Sequence, residues 1–435
     1  MKKVGENIFA LSTAPGKSAL ALIRVSGPDC YSCVQKISSN MPKKPNLSTL
    51  NNVIDSGGHL IDQTITTYFK APKSFTGEDM VELSLHGGNA VIKKIIEVLL
   101  KDKKTRIATP GEFTRRAFEN NKLDLTQVEA IADIVNAETE MQRKQAINHL
   151  SGGFFKETKK IFEDLKKILA NIEAAIDFSD EDLPENLIKQ IKEQNKNIIK
   201  KTNSLLENSK QGISIRDGFI IAILGKPNTG KSSFINNISG KDIAIVTSQP
   251  GTTRDLIEHF IDLEGYPVKF VDTAGIRDSK DEIEKIGVSR AFSMAKKADI
   301  NLVFIEKNED MLFFKNIKDP IFIMSKQDIS KNSFVTKGCY NISSKNNYGV
   351  KDLLQIIKNC VSTKTPNEKT FISRERHIVC LKETIYHLKR SNEDKNIDLL
   401  AEDIRLAVKN LSSLFGGVDI EDILDIIFSD FCIGK

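Results

Sequence analysis

The sequence predicts a multidomain protein: an α+β N-terminal domain, then an all-α domain split by an inserted α/β domain. Three observations predict this. A chain of 435 residues exceeds one ordinary core. The first 120 residues alternate short apolar runs with Gly, Pro and Ser punctuation. Strand-like and helix-like segments then alternate only between about residues 212 and 361, with helical periodicity on either side.

In chain order, the apolar runs 19–25, 64–69 and 80–85 read as strands and 90–100 as a helix. Leu125, Val128, Ile131, Ala132 and Val135 recur at helical spacing, and a Lys/Glu-rich amphipathic stretch covers 154–175. A further helix is expected over 185–207, and the breaks fall at Ser151-Gly152-Gly153 and in the acidic loop 177–184. Strands are expected at 219–224, 268–271, 321–324 and 340–342, and after a loop at 363–370 the pattern is helical again. The expected boundaries are 1–120 for the N-terminal domain, 121–214 and 366–435 for the two parts of the helical domain, and 215–365 for the insert.

Composition narrows the class. Apolar content of 40% and charged content of 28% are those of a soluble globular protein, and no apolar run is long enough to span a bilayer. The start, MKKVGENIFA, lacks the sustained apolar region of a secretory signal, so a cytoplasmic protein is expected. The net charge of +5, from 63 basic and 58 acidic residues, neither requires nor excludes RNA. Six cysteines without a secretory signal argue against a disulfide framework. Cys30 and Cys33 form a C-x-x-C with no second pair and read as packed helical cysteines rather than a metal site.

The strongest chemical signal is Gly225-Lys226-Pro227-Asn228-Thr229-Gly230-Lys231-Ser232, a G-x-x-x-x-G-K-[ST] loop between an apolar strand and a helix beginning near Ser233. Its glycines let main-chain N–H groups turn toward phosphates at the positive end of the helix. Lys231 would reach the β- and γ-phosphates, and the Ser232 hydroxyl would bind Mg²⁺. A second Gly16-Lys17-Ser18 is a decoy, since Leu11 stands where the first glycine belongs.

Asp272-Thr273-Ala274-Gly275 follows a strand, where an aspartate can hold Mg²⁺ through water and a glycine amide can sense a γ-phosphate. Between these elements lies Gly251-Thr252-Thr253-Arg254-Asp255, where a threonine can complete the Mg²⁺ shell. Ser325-Lys326-Gln327-Asp328 ends another strand, and the Asp328 carboxylate suits the paired N–H donors of guanine. Ser343-Ser344-Lys345 falls after the last strand, placed to contact the base. Five elements in this order at strand ends predict a GTPase domain.

These motifs resemble the MnmE (TrmE) family of bacterial tRNA-modification GTPases, over essentially the whole chain. The likeness includes Ser74-Phe75-Thr76-Gly77-Glu78-Asp79, His86-Gly87-Gly88, Pro110-Gly111-Glu112-Phe113-Thr114, Arg116-Ala117-Phe118, Lys122-Leu123-Asp124-Leu125, Glu129-Ala130-Ile131-Ala132-Asp133, Glu173-Ala174-Ala175-Ile176-Asp177-Phe178 and the terminal Phe431-Cys432-Ile433-Gly434-Lys435. The resemblance implies a homodimer whose N-terminal domain, similar to folate-dependent one-carbon enzymes, dimerises and binds a tetrahydrofolate. It also implies work with MnmG, a flavoprotein, on the wobble uridine of certain tRNAs.

The residues implied for the nucleotide are Asn228, Thr229, Gly230, Lys231, Ser232, Ser233, Thr247, Ser248, Gln249, Pro250, Gly251, Thr252, Thr253, Asp272, Thr273, Ala274, Gly275, Ser325, Lys326, Asp328, Ser343, Ser344 and Lys345. Ser232 and Thr253 are implied for Mg²⁺, and Asn228, Thr247, Gln249 and Thr252 for K⁺. Ile276 stands where Ras-like proteins carry a water-orienting glutamine, and the family's pattern assigns that work to Glu284. For folate the carry-over points to Arg24, Glu82, Lys122 and Lys435, and Cys432 is marked as a functional thiol. His86 reads either as facing a ligand or as a turn residue. The chain departs from the family in Ser325, which replaces an asparagine, in a short 305–320 region, and in Gly16-Lys17-Ser18-Ala19, which replaces a glycine-richer segment. A different class, a GTPase-type RNA or ribosome-assembly factor, would show no tetrahydrofolate binding.

Overall fold

The computed structural model describes residues 6–177, 185–239, 257–272, 291–328, 339–365, 372–393 and 396–417, and residues 424, 427, 428, 431 and 434. The chain divides into two compact units, Met1–Ala132 with Ser412–Lys435, and Asp133–Leu411.

The first unit is built on a six-stranded sheet, in the order β3-β4-β5-β2-β1-β6. Its strands are β1 (Asn7–Leu11), β2 (Leu20–Ser26), β3 (Ser48–Ile54), β4 (Leu60–Phe69), β5 (Met80–His86) and β6 (Thr105–Ile107). All neighbours are antiparallel except β1 and β6. Period-two alternation sends Phe9, Ile23, Val25, Val81, Leu83 and Leu85 to one face. There they meet helices α1 (Cys30–Gln35) and α2 (Asn89–Leu100) through Val34, Ile95, Val98 and Leu99. Cys30 and Cys33 are buried on α1, as expected, and burial pushes their thiols up to about 12 and about 11. On the other face Ile8 and Ala10 pack against Phe113 of α3 (Glu112–Glu119).

Helix α4 (Leu125–Val135) begins in this unit, and Leu125 and Val128 pack with Leu424, Ile427, Phe428 and Phe431. Gly111 has φ +68 and lies so close to Phe428 that a Cβ there would fall 2.6 Å from its ring.

The second unit holds helices and a second sheet. Its helices include α5 (Glu140–Leu150), α6 (Gly153–Asp177), α7 (Glu185–Leu206), α8 (Ser209–Asp217), α9 (Lys231–Ser239), α10 (Asp310–Phe313), α11 (Val350–Lys364), α12 (Glu375–Glu393) and α13 (Ile397–Ser412, of which Ser412 falls in the first unit), and residues 291–297 are also helical. α5 opens with a reciprocal cap, Thr139 bonding Gln142. The α6 stripe Phe154, Ile161, Leu165, Ile168 and Ile172 is buried, and α7 packs on α12, where Asn195 donates to Ser391 at 3.0 Å in the interior.

The second sheet runs β12-β11-β10-β7-β9-β8. Its strands are β7 (Phe219–Gly225), β8 (Ile257–Leu263), β9 (Tyr266–Asp272), β10 (Ile300–Ile305), β11 (Pro320–Met324) and β12 (Cys339–Asn341). Five strands are parallel and β8 is the antiparallel edge. Both faces are covered, as parallel sheets require: Ile221 and Ile223 pack with Phe234 and Leu353, while Ala222 and Leu224 pack with Phe314 and Ile317. The only helix described between β10 and β11 is the single turn α10, in keeping with the short 305–320 region. No helix among the described residues is long and apolar enough to cross a membrane.

Candidate nucleotide site

Four of the five expected elements have described residues, and these stand at the carboxyl ends of parallel strands β7, β9, β11 and β12, where open α/β sheets present their ligand sites. β7 runs into the loop 226–230 and then α9. Gly225 has φ +140, and a Cβ there would sit 2.4 Å from the Phe304 carbonyl oxygen, so only glycine fits. Asn228 and Gly230 also have positive φ, +62 and +92, which folds the loop back on itself. Thr229 Oγ1 closes the turn on Lys226 O at 2.8 Å.

Lys231 is 4% exposed, and its ammonium donates to Gly225 O at 2.7 Å and Lys226 O at 2.6 Å. Burial lowers its pKa, and the Asp272 carboxylate acts in the opposite sense. Asp272 is itself buried at the end of β9, opposite Ile223 of β7. Ser232 and Ser233, the second and third residues of α9, are exposed.

The element after β11 is anchored from two sides. Ser325, buried, donates its hydroxyl to Thr229 O. Asp328 accepts a hydrogen bond from Ser343 Oγ at 2.8 Å, and Gln327 N reaches Ile342 O at 3.2 Å. Ser344 is held in turn from α9, where Asn237 Nδ2 donates to Ser344 O at 2.6 Å and to Asn347 Oδ1 at 2.8 Å. Lys345 is exposed, and Lys326 reaches Glu306 at 3.3 Å. The structure therefore brings together Asn228–Ser233, Asp272, Ser325–Asp328 and Ser343–Lys345.

One partner escaped sequence reasoning. Lys226, a variable position of the loop motif, pairs with Asp310 of α10 at 2.6 Å. Asp310 also caps Glu306 N and Lys307 N, and the Lys226 hydrogen bond holds its carboxyl below the usual range. Only an acidic residue at the start of a short helix marked it in advance. Among the described residues no three His, Cys, Asp or Glu side chains gather to hold a metal ion.

A model described as the MnmE helical domain matches residues 125–432, and one described as the GTP-binding protein TrmE N-terminus matches residues 7–122. The tRNA modification GTPase MnmE of Pelagibacter ubique is 42% identical over 98% of this chain and 100% of its own. The chain belongs to the MnmE family. The tRNA modification GTPase MnmE of Rickettsia prowazekii is 39% identical over 99% of this chain and 100% of its own. Among solved structures, the G domain of the T. maritima FeoB iron transporter matches 34% of this chain and 99% of its own at 21% identity, with a TM-score of 0.26.

Of the residues carried over from the MnmE family, Glu284, Thr247, Ser248, Gln249, Pro250, Gly251, Thr252, Thr253, Thr273, Ala274, Gly275, Cys432 and Lys435 lie outside the described residues. In the first unit Arg24 and Glu82 are directly opposite on β2 and β5. They form an ion pair, Nε to Oε1 2.9 Å, with the guanidinium 5.2 Å from the Phe75 ring centre and 5.8 Å from that of Phe113. Lys122 Nζ donates to Pro72 O at 3.0 Å. His86 is exposed at the end of β5 with Nδ1 2.7 Å from Asp62.

Proposed function

We propose that this MnmE-family GTPase works on tRNA together with the MnmG flavoprotein. The product is an aminomethyl-type (carboxymethylaminomethyl) group on C5 of the wobble uridine of certain tRNAs, with tetrahydrofolate supplying the one-carbon unit. The observation that carries the nucleotide half is the joining of Asp328, fixed by Ser343, to the phosphate loop through Ser325. The tRNA half is supported by full-length likeness to relatives named tRNA modification GTPases.

The donor set fits each implied group. Three positive-φ residues, Gly225, Asn228 and Gly230, shape an anion-binding loop, and Lys231 is buried against its carbonyl oxygens, ready to exchange them for phosphate oxygens. The exposed hydroxyl of Ser232, with Asp272 and Thr253, would hold Mg²⁺, which neutralises developing phosphate charge when bound. Asn228, Thr247, Gln249 and Thr252 would hold K⁺ where other GTPases insert an arginine. Glu284 would orient the attacking water, since Ile276 has no polar group for it.

In the first unit Glu82 would meet pterin N–H groups and Arg24, Lys122 and Lys435 the anionic tail, with Phe75 and Phe113 flanking the guanidinium. Leu50 and Ile65, paired on the neighbouring strands β3 and β4 and exposed by 59 and 44%, and Leu20 on β2 of the same sheet, exposed by 66%, support a homodimer through this unit.

The test is GTP turnover in matched KCl and NaCl, with ATP as control and Asn228→Ala as the variant. Turnover in K⁺ that collapses in Na⁺, with ATP inert and the K⁺ response lost in the variant, is expected. Equal rates in the two salts would remove the cation mechanism. Absence of tetrahydrofolate binding would favour an RNA-binding factor.

A further inference from the structure

Asp133, near the end of α4, belongs to a stretch of sequence that the nucleotide site does not use. Its carboxylate is 13% exposed and one oxygen, Oδ1, accepts from two arginines: Arg216 Nε at 2.9 Å and Arg374 at 2.6 Å. The positions of those arginines give the contact its meaning. Arg216 is the penultimate residue of α8, three residues before β7 begins and leads to the phosphate loop. Arg374 directly precedes α12, where the chain returns from the nucleotide-binding part to the helices. A single oxygen thus holds both connections of the insert.

Neighbouring bonds make this a built joint. Gln142, whose side chain completes the cap of α5, also donates through Nε2 to Arg216 O at 2.9 Å, and Gln145 donates to Gly212 O at 3.0 Å. Met141 N donates to Gly265 O at 3.1 Å, in the turn between β8 and β9, and the Met141 side chain packs on the core of the second sheet. β9 then runs from Tyr266 directly to Asp272. The helices therefore grip the insert at the incoming connection, the outgoing connection and the far end of the strand that carries Asp272.

We propose that Asp133 is a positioning residue: by binding Arg216 and Arg374 together it keeps both connections taut, so that rearrangement at the nucleotide site moves the insert against the helices instead of being absorbed in two loose joints. This rests on the reading that GTP turnover drives tRNA modification. A carboxylate suits the task because two guanidiniums converge on it, and two charge-assisted bonds to one partly buried anion fix direction as well as distance. Asparagine keeps the shape and an accepting oxygen but loses the charge that strengthens both bonds.

The experiment compares full-length wild type with Asp133→Asn by hydrogen-exchange mass spectrometry in GDP and in a non-hydrolysable GTP analogue, alongside GTP turnover and tRNA modification. In the variant, amides of residues 212–218 and 372–377 should exchange about tenfold faster while β7 and β10 stay protected. The nucleotide-dependent exchange difference in α12 should disappear, and modification per GTP hydrolysed should fall about tenfold with GTP affinity within about twofold of wild type. Unchanged exchange at the two joints, or loose joints with full transmission to α12, would overturn the proposal. If Asp133→Asn does not fold, Arg216→Lys and Arg374→Lys, which keep the charges and lose the fork, give the same readout. A wild-type protein that hydrolyses GTP without modifying tRNA would overturn the functional reading, while exchange at the joints would still report on the clamp.

Discussion

Ser325 donates its hydroxyl to the main-chain carbonyl oxygen of Thr229, tying the loop after β11 to the loop after β7. The two loops lie close: a Cβ on Gly230 would lie 2.7 Å from Ser325 Oγ. Ser325→Ala removes one buried bond, worth about 1 kcal/mol, and should weaken GDP binding roughly fivefold in titration calorimetry. Unaltered affinity would mean that the loops hold their spacing without it.

On the proposed reading Asp328 selects the base. Its ionised carboxylate, held by the Ser343 hydroxyl, accepts hydrogen bonds and donates none, which suits the paired N–H groups of guanine. Asp328→Asn should cost GTP at least about tenfold in affinity and improve binding of xanthosine triphosphate, whose extra carbonyl needs a donor. Competition binding with the two triphosphates checks this.

Glu284→Ala should abolish GTP turnover while GTP binding stays within about twofold. Single-turnover hydrolysis with labelled GTP is the measurement, and unimpaired hydrolysis would reassign the water-orienting role.

For the folate reading, Arg24→Ala leaves Glu82 without its cross-strand partner, so both lose function together. Tetrahydrofolate binding to the full chain should fall at least about tenfold, and Lys122→Ala should cost less because its ammonium is exposed and bonds a carbonyl.

Acid should loosen the first unit in a defined window. Burial alone would raise the Glu112 pKa, but hydrogen bonds from Arg106 and Thr109 outweigh it and lower it from 4.5 to about 2. A depressed carboxylate contributes stability above the unfolded value, which is lost as pH falls through the folded one, here between 4.5 and about 2. The contribution is on the order of 3 kcal/mol. Glu112→Gln should therefore make β1 and α3 peptides more sensitive to urea at pH 6, with the difference from wild type shrinking toward pH 2.

Local pattern made much of this fold legible. The runs at 80–85, 154–175, 219–224 and 321–324 became β5, α6, β7 and β11 to within two residues at each end, because period and turn residues are read within a few positions. The phosphate loop was legible for the same reason. Pairing across distance was not. That Arg24 faces Glu82 depends on the β2–β5 register, and that Asp310 meets Lys226 depends on β10 lying beside β7. The two partners of Asp133 lie on either side of the insert, and no window of sequence contains them.

The packing of Leu125 and Val128 with Leu424, Ile427, Phe428 and Phe431 also sets an order of events during synthesis. The first unit to emerge from a ribosome waits, with its apolar α4 face uncovered, until residues beyond 424 have been translated. The six strands of the second sheet all lie within residues 219–341 and can pair well before then. A stalled or truncated chain would thus carry a completed second sheet and an unfinished first unit, the kind of half-made product that quality-control proteases recognise by its exposed apolar surface.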